Sequence, residues 1–429
     1  MTSRRSFLRF FSSALLRKPD WRASPGDHAF LEDLSRRAFR YFWEQASPST
    51  GSVLDRALSG AAGQTRRVSS IAATGFGLTA LAIAAHRGWH DAAKLRERAR
   101  NTLDFFANRA ENVHGWFYHF VDFETGERQW RCEVSSIDTA LLLAGVLTVG
   151  QYYSDDPEIA ALATQIYKRV DFRWMLNGHR YLLSHGWKPE TGFLLHRWDR
   201  YCELMILYLL AIGSPAFRIP AESWYAWKRP ANRYGQYSYV SGAPPLFTHQ
   251  YSHAWVDFRR LRENGPTRID WFLNSVTATR AHRAFCLDLA RRFPGYTSHI
   301  WGVTASDSRR GYIAWGGPPA DPRIDGSVVP CAAGGSLMFA PDICVPALRA
   351  MKDQFGDRIY GRYGFADAFH PRDAWTNPDV LGIDQGIILL SAENLRSGKV
   401  WHWFRQNESI RQALSAAGLL ESAARSSHG

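Results

Sequence analysis

The chain has 429 residues, of which 45% are hydrophobic and 21% charged, and this composition is typical of a folded globular protein and excludes a disordered one. Its formal net charge of +12 comes largely from arginines dispersed along amphipathic segments, which argues against nucleic-acid binding. The five cysteines show no Cys-x-x-Cys spacing, so they form neither a disulfide framework nor a zinc site and are expected to be buried thiols.

Residues 1–28 are predicted to be an N-terminal extension. The segment Ser3–Arg9 reads SRRSFLR and is similar to a bacterial twin-arginine export signal. The alternative is an ordinary basic extension, because the apolar run at 10–16 is short and is followed at once by Arg17 and Lys18. We therefore expect a periplasmic or secreted protein, or a cytoplasmic one under the alternative. No stretch reaches the roughly 20 apolar residues that a membrane span requires.

From residue 29 onward, polar amphipathic helices alternate with long loops and nearly all-apolar helices. The amphipathic members keep one wet face, whereas an apolar segment such as IAATGFGLTALAIAA at 71–85 must be enclosed on all sides. In chain order the predicted helices are 29–45, 69–86, 90–108, 134–149, 156–173, 199–212, 221–228, 248–262, 267–292, 332–337, 341–354, 384–395 and 406–424.

The lengths of the connections predict the topology. The links from an apolar helix to the next polar helix are short, whereas the links from a polar to an apolar helix run from about twenty to forty residues, and loops of that length are usually functional. If the long loops all emerge on one side, that side also holds the N-termini of the six apolar helices. The sequence therefore predicts one all-α domain over 29–429, an (α/α)6 toroid, with strands confined to small hairpins in the loops.

Carboxylates are placed where several apolar helices begin. Glu133 and Asp138 open one helix, Glu203 another and Asp384 the last. Glu203 is the only charged residue between positions 200 and 218, and burial raises the pKa of such a carboxyl toward the value that a general acid needs. The alternatives are helix capping, a favourable position in the helix dipole, or a structural ion pair. For Asp257 the ion pair is the preferred interpretation.

The aromatic content is high, at 14% of the chain, and many of these residues lie in predicted loops. Aromatic faces stack on sugar rings, although packing against the core is the alternative interpretation for each of them. No metal-binding or cofactor-binding motif accompanies them, so we expect neither a metal ion nor a cofactor. The candidate substrate-binding residues are Glu133, Trp116, His119, His249, Gln250, Tyr251, Trp301, Asp307, Tyr312, Trp315 and Gln385.

Several ordered segments carry a family resemblance that covers about residues 29 to 424. They read GWFYHF at 115–120, SSIDTALL at 135–142, ELMILY at 203–208, GSP at 213–215, FTHQY at 247–251, GVTASD at 302–307 and GIDQG at 382–386. In these segments the chain resembles the bacterial glucoamylase-like family, which includes endo-β-1,2-glucanases and the C-terminal domains of cyclic β-1,2-glucan synthases. It departs from the family pattern at Trp315, Cys331 and Ile387.

The resemblance implies an (α/α)6 toroid with glycoside hydrolase chemistry and an oligo- or polysaccharide substrate, most readily a β-1,2-glucan. It also implies acidic catalytic residues at Asp138, Glu203 and Asp384. We expect Glu203 to protonate the glycosidic oxygen, and Asp384 or Asp138 to activate water, with inversion preferred over retention. Two alternatives remain open: a glucoamylase-type hydrolase or transglycosylase acting on another glucoside, and a glycan-binding protein that has lost catalysis.

Overall fold

A computed structural model describes residues 21–60, 65–265 and 268–421 of the chain. The predicted twin-arginine segment lies outside the described residues. The described part is mostly helical, as the sequence predicts, and its strands are short. Several strands are not the small hairpins that the sequence predicts, because they pair with distant segments, such as 56–58 with 379–381 and 261–263 with 419–421. None of its helices is both long enough and apolar enough to cross a membrane.

Fifteen α-helices lie within the described residues. They are α1 (Pro25–Glu44), α2 (Ile71–Arg87), α3 (Ala92–Asp104), α4 (Ser136–Tyr152), α5 (Pro157–Arg169), α6 (Phe172–Met175), α7 (Met205–Gly213), α8 (Ser223–Ala226), α9 (Tyr251–Trp255), α10 (Trp271–Leu289), α11 (Pro330–Gly334), α12 (Pro341–Phe355), α13 (Gly382–Arg396), α14 (Lys399–Gln406) and α15 (Glu408–Ala416). A π-helical turn at Phe105–Arg109 extends α3, and 3-10 turns occupy Leu246–His249 and Gly356–Arg358.

Strands of two to four residues join the loops between these helices. They are β1 (Val53–Leu54), β2 (Arg56–Leu58), β3 (Val68–Ser70), β4 (Asn112–Val113), β5 (Trp116–Phe117), β6 (Phe120–Asp122), β7 (Val134–Ser135), β8 (Gly186–Lys188), β9 (Gly192–Phe193), β10 (Ala231–Tyr234), β11 (Tyr237–Val240), β12 (Leu261–Glu263), β13 (Ala305–Ser308), β14 (Gly311–Ala314), β15 (Tyr360–Gly361), β16 (Gly364–Phe365), β17 (Asp379–Leu381) and β18 (Leu419–Glu421). All pairings between them are antiparallel.

The apolar helices form the centre of the molecule. Every residue of α7 is buried, and α2 is buried from its first residue to Ala84, because neither sequence offers a polar face to water. The helices α2 and α4 cross closely at two glycines: a Cβ atom built on Gly145 would lie 2.0 Å from the carbonyl oxygen of Gly75. The two backbones therefore touch where neither residue has a side chain.

The inner helices follow one another around a centre. Helix α2 packs on α4, α4 on α7, α9 and α11 on α13, and α13 again on α2. Hydrogen bonds join the remaining neighbours: Ser252 Oγ accepts the N–H of Ile206 (3.0 Å), and Gln250 Nε2 donates to the carbonyl of Ala332 (2.9 Å). Amphipathic helices such as α1, α3 and α5 pack outside this set and bury one face each.

Three of the short strands lead directly into inner helices. Strand β3 precedes α2, β7 precedes α4, and β17 precedes α13. Each is paired to a loop strand from elsewhere, β3 to β1 and β6, β7 to β8, and β17 to β2. These pairings fix the loops at the N-terminal ends of the helices, and Ser70 and Ser135 cap α2 and α4 there.

The structure corrects the predicted bounds most clearly in three places. The predicted helix 199–212 begins only at Met205, as α7, so Glu203 precedes the helix that it is predicted to open. The predicted helix 248–262 is only a 3-10 turn followed by α9, because the chain becomes extended at Val256 and Asp257 turns to form an ion pair with Arg259 (2.7 Å). The predicted tail helix 406–424 is divided among α14, α15 and β18. Asn407 adopts an extended backbone conformation and donates to the carbonyl of Phe404 (2.9 Å), which ends α14.

Candidate active site

A cavity of about 480 Å³ opens among the loops at the N-terminal ends of the inner helices. Its lining includes the three carboxylates that the sequence predicts to be catalytic, namely Asp138, Glu203 and Asp384. Each arrives from a different inner helix: Asp138 lies in the first turn of α4, Glu203 lies two residues before α7, and Asp384 lies in the first turn of α13. The fold thus brings together acids that are up to 246 positions apart in the sequence.

Glu203 combines burial with a neighbouring like charge. Burial, supported by the negative charge of Asp138, raises its pKa from 4.5 to about 7. The carbonyl oxygen of Glu203 accepts the hydroxyl of Ser252 at 2.6 Å, which fixes the backbone that carries the side chain. Among the described residues Glu203 forms no ion pair, so the structure does not support the alternative of a structural salt bridge. A carboxyl of this kind holds its proton close to neutral pH.

Asp138 and Glu133 share one histidine. His119 contacts Glu133 Oε1 through Nδ1 (3.2 Å) and Asp138 Oδ2 through Nε2 (3.5 Å). Burial opposes the charge of this imidazole, but the two carboxylates outweigh it and raise the pKa of His119, while the hydrogen bond from His119 lowers the pKa of Glu133 to about 2. Ser135 Oγ also donates to Asp138 Oδ2 at 2.5 Å. Asp138 is therefore held at the cavity wall by two side chains.

Asp384 lies beside a second buried carboxyl group, that of Asp367. Burial raises the pKa of Asp384 to about 7, against the effect of hydrogen bonds from Cys331 and Asp367, and burial together with Asp384 raises the pKa of Asp367 well above its usual range. Only 4% of Asp384 and 1% of Asp367 are exposed. Asp367 does not line the cavity, so it acts on the cavity through Asp384.

The one arginine of the cavity lining, within the part of the chain that the structure describes, is Arg56, and no lysine lines it there. Its guanidinium bonds Asp55 Oδ2 (3.0 Å) and Asp307 Oδ2, and it lies 3.9 Å from Asp379. Burial disfavours the charge of Arg56, but Asp55 and Asp307 outweigh it and raise its pKa. Arg66 neutralises Asp379 at 2.7 Å. These ion pairs fix the loop and strand β2 that form one side of the cavity.

Aromatic rings lead from solvent into the cavity. Trp130 is 64% exposed, and its ring lies 4.9 Å from that of Phe120, which in turn stacks on His119 with the ring centroids 3.8 Å apart. Trp130 has a positive φ of 54°, an uncommon conformation for a bulky residue that holds the ring outward. Tyr312, in strand β14, is 62% exposed and lines the cavity as well. Flat apolar faces thus flank the mouth.

The structure places the sequence-predicted site residues in two groups. One group lines the cavity, and it consists of Asp138, Glu203, Asp384, His119, Gln250, Tyr251 and Tyr312. The other group does not line it, and it consists of Glu133, Trp116, His249, Trp301, Asp307, Trp315 and Gln385. Glu133 and Asp307 lie one contact away, because they bind His119 and Arg56, which do line the cavity.

The remaining members of the second group are packed inside the protein. Trp116 donates its indole N–H to the carbonyl of Asp171 (2.9 Å), Trp315 donates to Ser306 Oγ (2.8 Å), and Gln385 donates to the carbonyl of Phe365 (2.9 Å). Trp301 is fully buried. His249 contacts the hydroxyl of Tyr201 (3.1 Å), and burial lowers the pKa of its imidazole to about 3. These contacts match the alternative interpretation, packing against the core.

Several cavity or near-cavity residues are absent from the sequence-based candidates. Asp55 and Arg56 are an adjacent pair of opposite charges at the start of β2, and Cys331 is an atypical residue in the first turn of α11, so each carries a visible signal. Asp367 interrupts the apolar stretch FADAF at 365–369, where a lone charge is the only sign of its role. Trp130 has no signal beyond its position in a loop. All five cysteines are buried and none forms a disulfide bond, as the sequence predicts.

No group of three or more His, Cys, Asp and Glu side chains is arranged to hold a metal ion in residues 21–60, 65–265 and 268–421. The carboxylates of the cavity are instead bound to protein donors: His119 and Ser135 for Asp138, and Cys331 for Asp384. What the arrangement offers chemically is therefore a pair of carboxyl groups with raised pKa values, Glu203 and Asp384, in one cavity with a third carboxylate beside them.

The chain is similar to one family model, to a relative and to solved structures. The model of a family described as "Putative glucoamylase" matches residues 195–408. The chain is similar to an exo-β-1,2-glucooligosaccharide sophorohydrolase (non-reducing end) from Parabacteroides distasonis, with 26% identity over 426 residues and 90% of this chain covered. The chain spans 57% of the length of that relative.

Two solved structures are similar along nearly their whole length. One is an endo-β-1,2-glucanase from Chitinophaga pinensis in complex with sophorotriose and glucose, which has 26% identity, a TM-score of 0.85, and coverage of 93% of this chain and 99% of its own. The other is a protein from Bacteroides caccae described as a "putative glucoamylase", which has 28% identity, a TM-score of 0.84, and coverage of 92% of this chain and 100% of its own.

Proposed function

We propose that this chain, which belongs to the bacterial glucoamylase-like family, is a glycoside hydrolase that cleaves β-linked glucan chains, with β-1,2-glucan as its substrate. The observation that carries this proposal is one cavity lined by Asp138, Glu203 and Asp384, in which two of the carboxyl groups have pKa values of about 7. Glycoside hydrolysis needs one such group protonated and another ionised. The β-1,2 linkage is taken from the activities named for the similar proteins.

Glu203 is the proposed general acid. A carboxyl with a pKa of about 7 is about half protonated at neutral pH, so it can give its proton to the glycosidic oxygen as the C–O bond breaks. Its burial and the absence of an ion pair among the described residues both favour the protonated form. After the step Glu203 is an anion and the base carries the proton of the attacking water, and proton exchange with solvent returns both groups to their starting states.

Asp384 is the proposed base, and Asp138 the proposed positioning carboxylate. Asp138 Oδ2 is already engaged by Ser135 and His119, so that carboxylate is held in place and its charge supports the proton on Glu203. Asp384 instead faces the cavity, where the hydrogen bonds from Cys331 and Asp367 oppose the effect of burial and favour an anion able to take a proton from water. We propose inversion of the anomeric centre, in which water attacks opposite the leaving sugar.

The decisive experiment compares linear β-1,2-glucan with starch and laminarin as substrates for the purified protein. Release of reducing ends and chromatography of the products are the readouts, with the Asp384→Asn variant as the inactive reference. We expect cleavage of β-1,2-glucan alone, and NMR of the first product formed should show the inverted anomer. Cleavage of starch instead would show that the substrate is an α-glucan and not β-1,2-glucan. Products longer than the substrate would indicate a transglycosylase, and saccharide binding without new reducing ends would indicate a glycan-binding protein.

The toroid is part of the same proposal. The succession α2, α4, α7, α9, α11 and α13, with the amphipathic helices packed outside, supports an (α/α)6 toroid that forms one catalytic domain over 29–429. In that architecture the long loops gather at one end of the inner ring, and the cavity lies at this end. Small-angle X-ray scattering of the full chain tests the proposal, because two separately moving halves would give an elongated profile.

We also propose that the protein is exported through the segment Ser3–Arg9. Fractionation of cells that express the full chain should recover it outside the cytoplasm, and replacement of Arg4 and Arg5 by lysine should retain it inside. Recovery of both forms in the cytoplasm would favour an ordinary basic extension.

A further inference from the structure

The buried carboxyl groups of Asp367 and Asp384 each have one oxygen that lacks a hydrogen-bond donor from the described part of the chain. Asp367 Oδ2 accepts the N–H of Asp307 (2.9 Å) and Nδ2 of Asn377 (2.7 Å). Asp367 Oδ1 and Asp384 Oδ2, by contrast, are both shielded from solvent and receive no donor from the described residues. Buried polar atoms are almost always hydrogen-bonded, so two orphaned oxygens on neighbouring carboxyl groups require an explanation.

One proton satisfies both oxygens. The two carboxyl groups are in hydrogen-bonding contact, and a protonated carboxyl becomes a donor while its neighbour remains an acceptor. Two ionised carboxylates at this position would repel each other without a solvent screen, so the pair holds at least one proton. The remaining titratable or charged groups that face the pair are Asp55, Arg56, Tyr251, Asp307, Tyr312 and Cys331.

The surroundings decide which member carries the proton. Asp384 accepts a hydrogen bond from the thiol of Cys331, which favours its ionised form, while the opposing charges of Asp55 and Arg56 partly cancel each other. Burial raises the pKa of that thiol, so Cys331 remains a donor. The charged groups that act most strongly on Asp367 are two acids, Asp384 and Asp307, and its two donors come from neutral groups. The proton therefore belongs on Asp367.

We propose that Asp367 is a positioning residue that stays protonated in the working enzyme and donates a hydrogen bond to Asp384 Oδ2, which holds Asp384 as the ionised base. This inference rests on the function proposed above, because it assigns Asp384 the role of base. The pH at which activity begins is then set by this pair and not by Asp384 alone.

The test compares two substitutions of the same residue. In Asp367→Asn the amide oxygen accepts the two existing N–H groups and the amide nitrogen donates to Asp384, so turnover and the acidic limb of the kcat/KM profile should stay close to those of the wild type. In Asp367→Ala the donor is lost, and the acidic limb should move to higher pH by about one to two pH units, because a hydrogen bond to an ion is worth that much. Asp353→Asn, on the exposed surface of α12, is the matched control.

A second readout needs no substrate. The infrared difference spectrum between wild type and Asp367→Asn at neutral pH should contain the band of a protonated carboxylic acid, which the difference spectrum for Asp353→Asn should lack. Thermal unfolding of each variant shows whether it is folded. If Asp367→Asn is as impaired as Asp367→Ala, or if the acid band is missing, the proposal is wrong. If instead the wild type cleaves no glucan while the band is present, the assignment of the proton stands and the proposed function fails.

Discussion

The replacement of Glu203 by glutamine tests the proposed acid most directly. Glutamine has the size and hydrogen-bonding shape of glutamic acid but no transferable proton, so the cavity keeps its form while the acid is lost. A general acid contributes about 10²–10⁴-fold to a reaction of this kind. We expect kcat on β-1,2-glucan to fall within that range, with KM nearly unchanged because ground-state contacts remain.

The environment of Glu203 determines how much acid the wild type holds. With its usual pKa of 4.5, about 0.3% of a glutamic acid side chain is protonated at pH 7, whereas a pKa of about 7 leaves about half of it protonated. Burial and the neighbouring Asp138 together therefore increase the competent fraction by about two orders of magnitude. The kcat/KM profile of the wild type should accordingly decline on its alkaline side with an apparent pKa near 7.

The assay pairs two substrates with different leaving groups. On the natural glucan, Glu203→Gln should lose both its rate and the alkaline limb of its pH profile. On an aryl β-glucoside whose phenol is acidic, departure needs no proton, so the variant should recover most of the wild-type rate. Glu97→Gln, on the exposed face of α3, is the matched control and should leave both rates unchanged.

Two results would refute this reasoning. Near-normal turnover of the glucan by Glu203→Gln would remove Glu203 from the acid role. Equal loss on both substrates in a folded variant would show that Glu203 serves binding or structure, since an activated leaving group would then bring no recovery.

Three further predictions concern the rim, the core and the pH dependence of stability. Trp130→Ala should raise KM for longer oligosaccharides about fivefold at unchanged kcat in a steady-state assay, because one stacking contact is worth about 1 kcal/mol. The control Leu195→Ala, at a 97% exposed position outside the cavity lining, should change neither constant. Gly145→Ala should lower the free energy of unfolding by about 3 kcal/mol in a urea titration, because its Cβ would meet the α2 backbone, whereas Gly60→Ala, with nothing within 4 Å, should not. The pKa of Glu203 is higher in the folded protein than its usual 4.5, so the native state binds this proton more tightly and wild-type stability falls as the pH rises from 4.5 through 7. Thermal unfolding should therefore show that Glu203→Gln is more stable than the wild type by up to about 3 kcal/mol at alkaline pH. A stability difference that does not vary with pH would contradict the raised pKa.

The parts of the fold that the sequence predicts well are those with a local cause. Helices α2 and α4 begin within two residues of their predicted starts, because each joins an all-apolar run to a serine cap. The prediction of a helix at 248–262 is wrong because the apolar sequence continues past Trp255, where α9 ends and the backbone becomes extended. Composition shows that this segment is buried, but only the neighbouring elements determine its conformation.

The site divides in the same way. Asp138, Glu203 and Asp384 are recognisable because a charge at the start of an apolar helix is a local anomaly. Whether an aromatic residue of a loop lines the cavity depends on the direction of its side chain, which follows from strand pairings between distant segments. Trp116 and Trp315 are buried in the core, whereas Tyr312 faces the cavity mouth. No local pattern distinguishes these cases.

The carboxyl groups of the cavity also distinguish catalysis from simple binding. For Glu203, the rise of the pKa from 4.5 to about 7 means that ionisation in the folded protein costs about 3 kcal/mol more than in water, and Asp384 is subject to the same kind of opposition. A protein that only binds neutral sugars gains nothing from such groups, because amides and hydroxyls make the same hydrogen bonds without that loss. An enzyme gains from two carboxyl groups that titrate near neutral pH in different surroundings. The charge of Asp138 favours the protonated form of Glu203, whereas the hydrogen bonds from Cys331 and Asp367 favour the ionised form of Asp384. Opposite protonation states at one pH, in one cavity, are what a paired acid and base require.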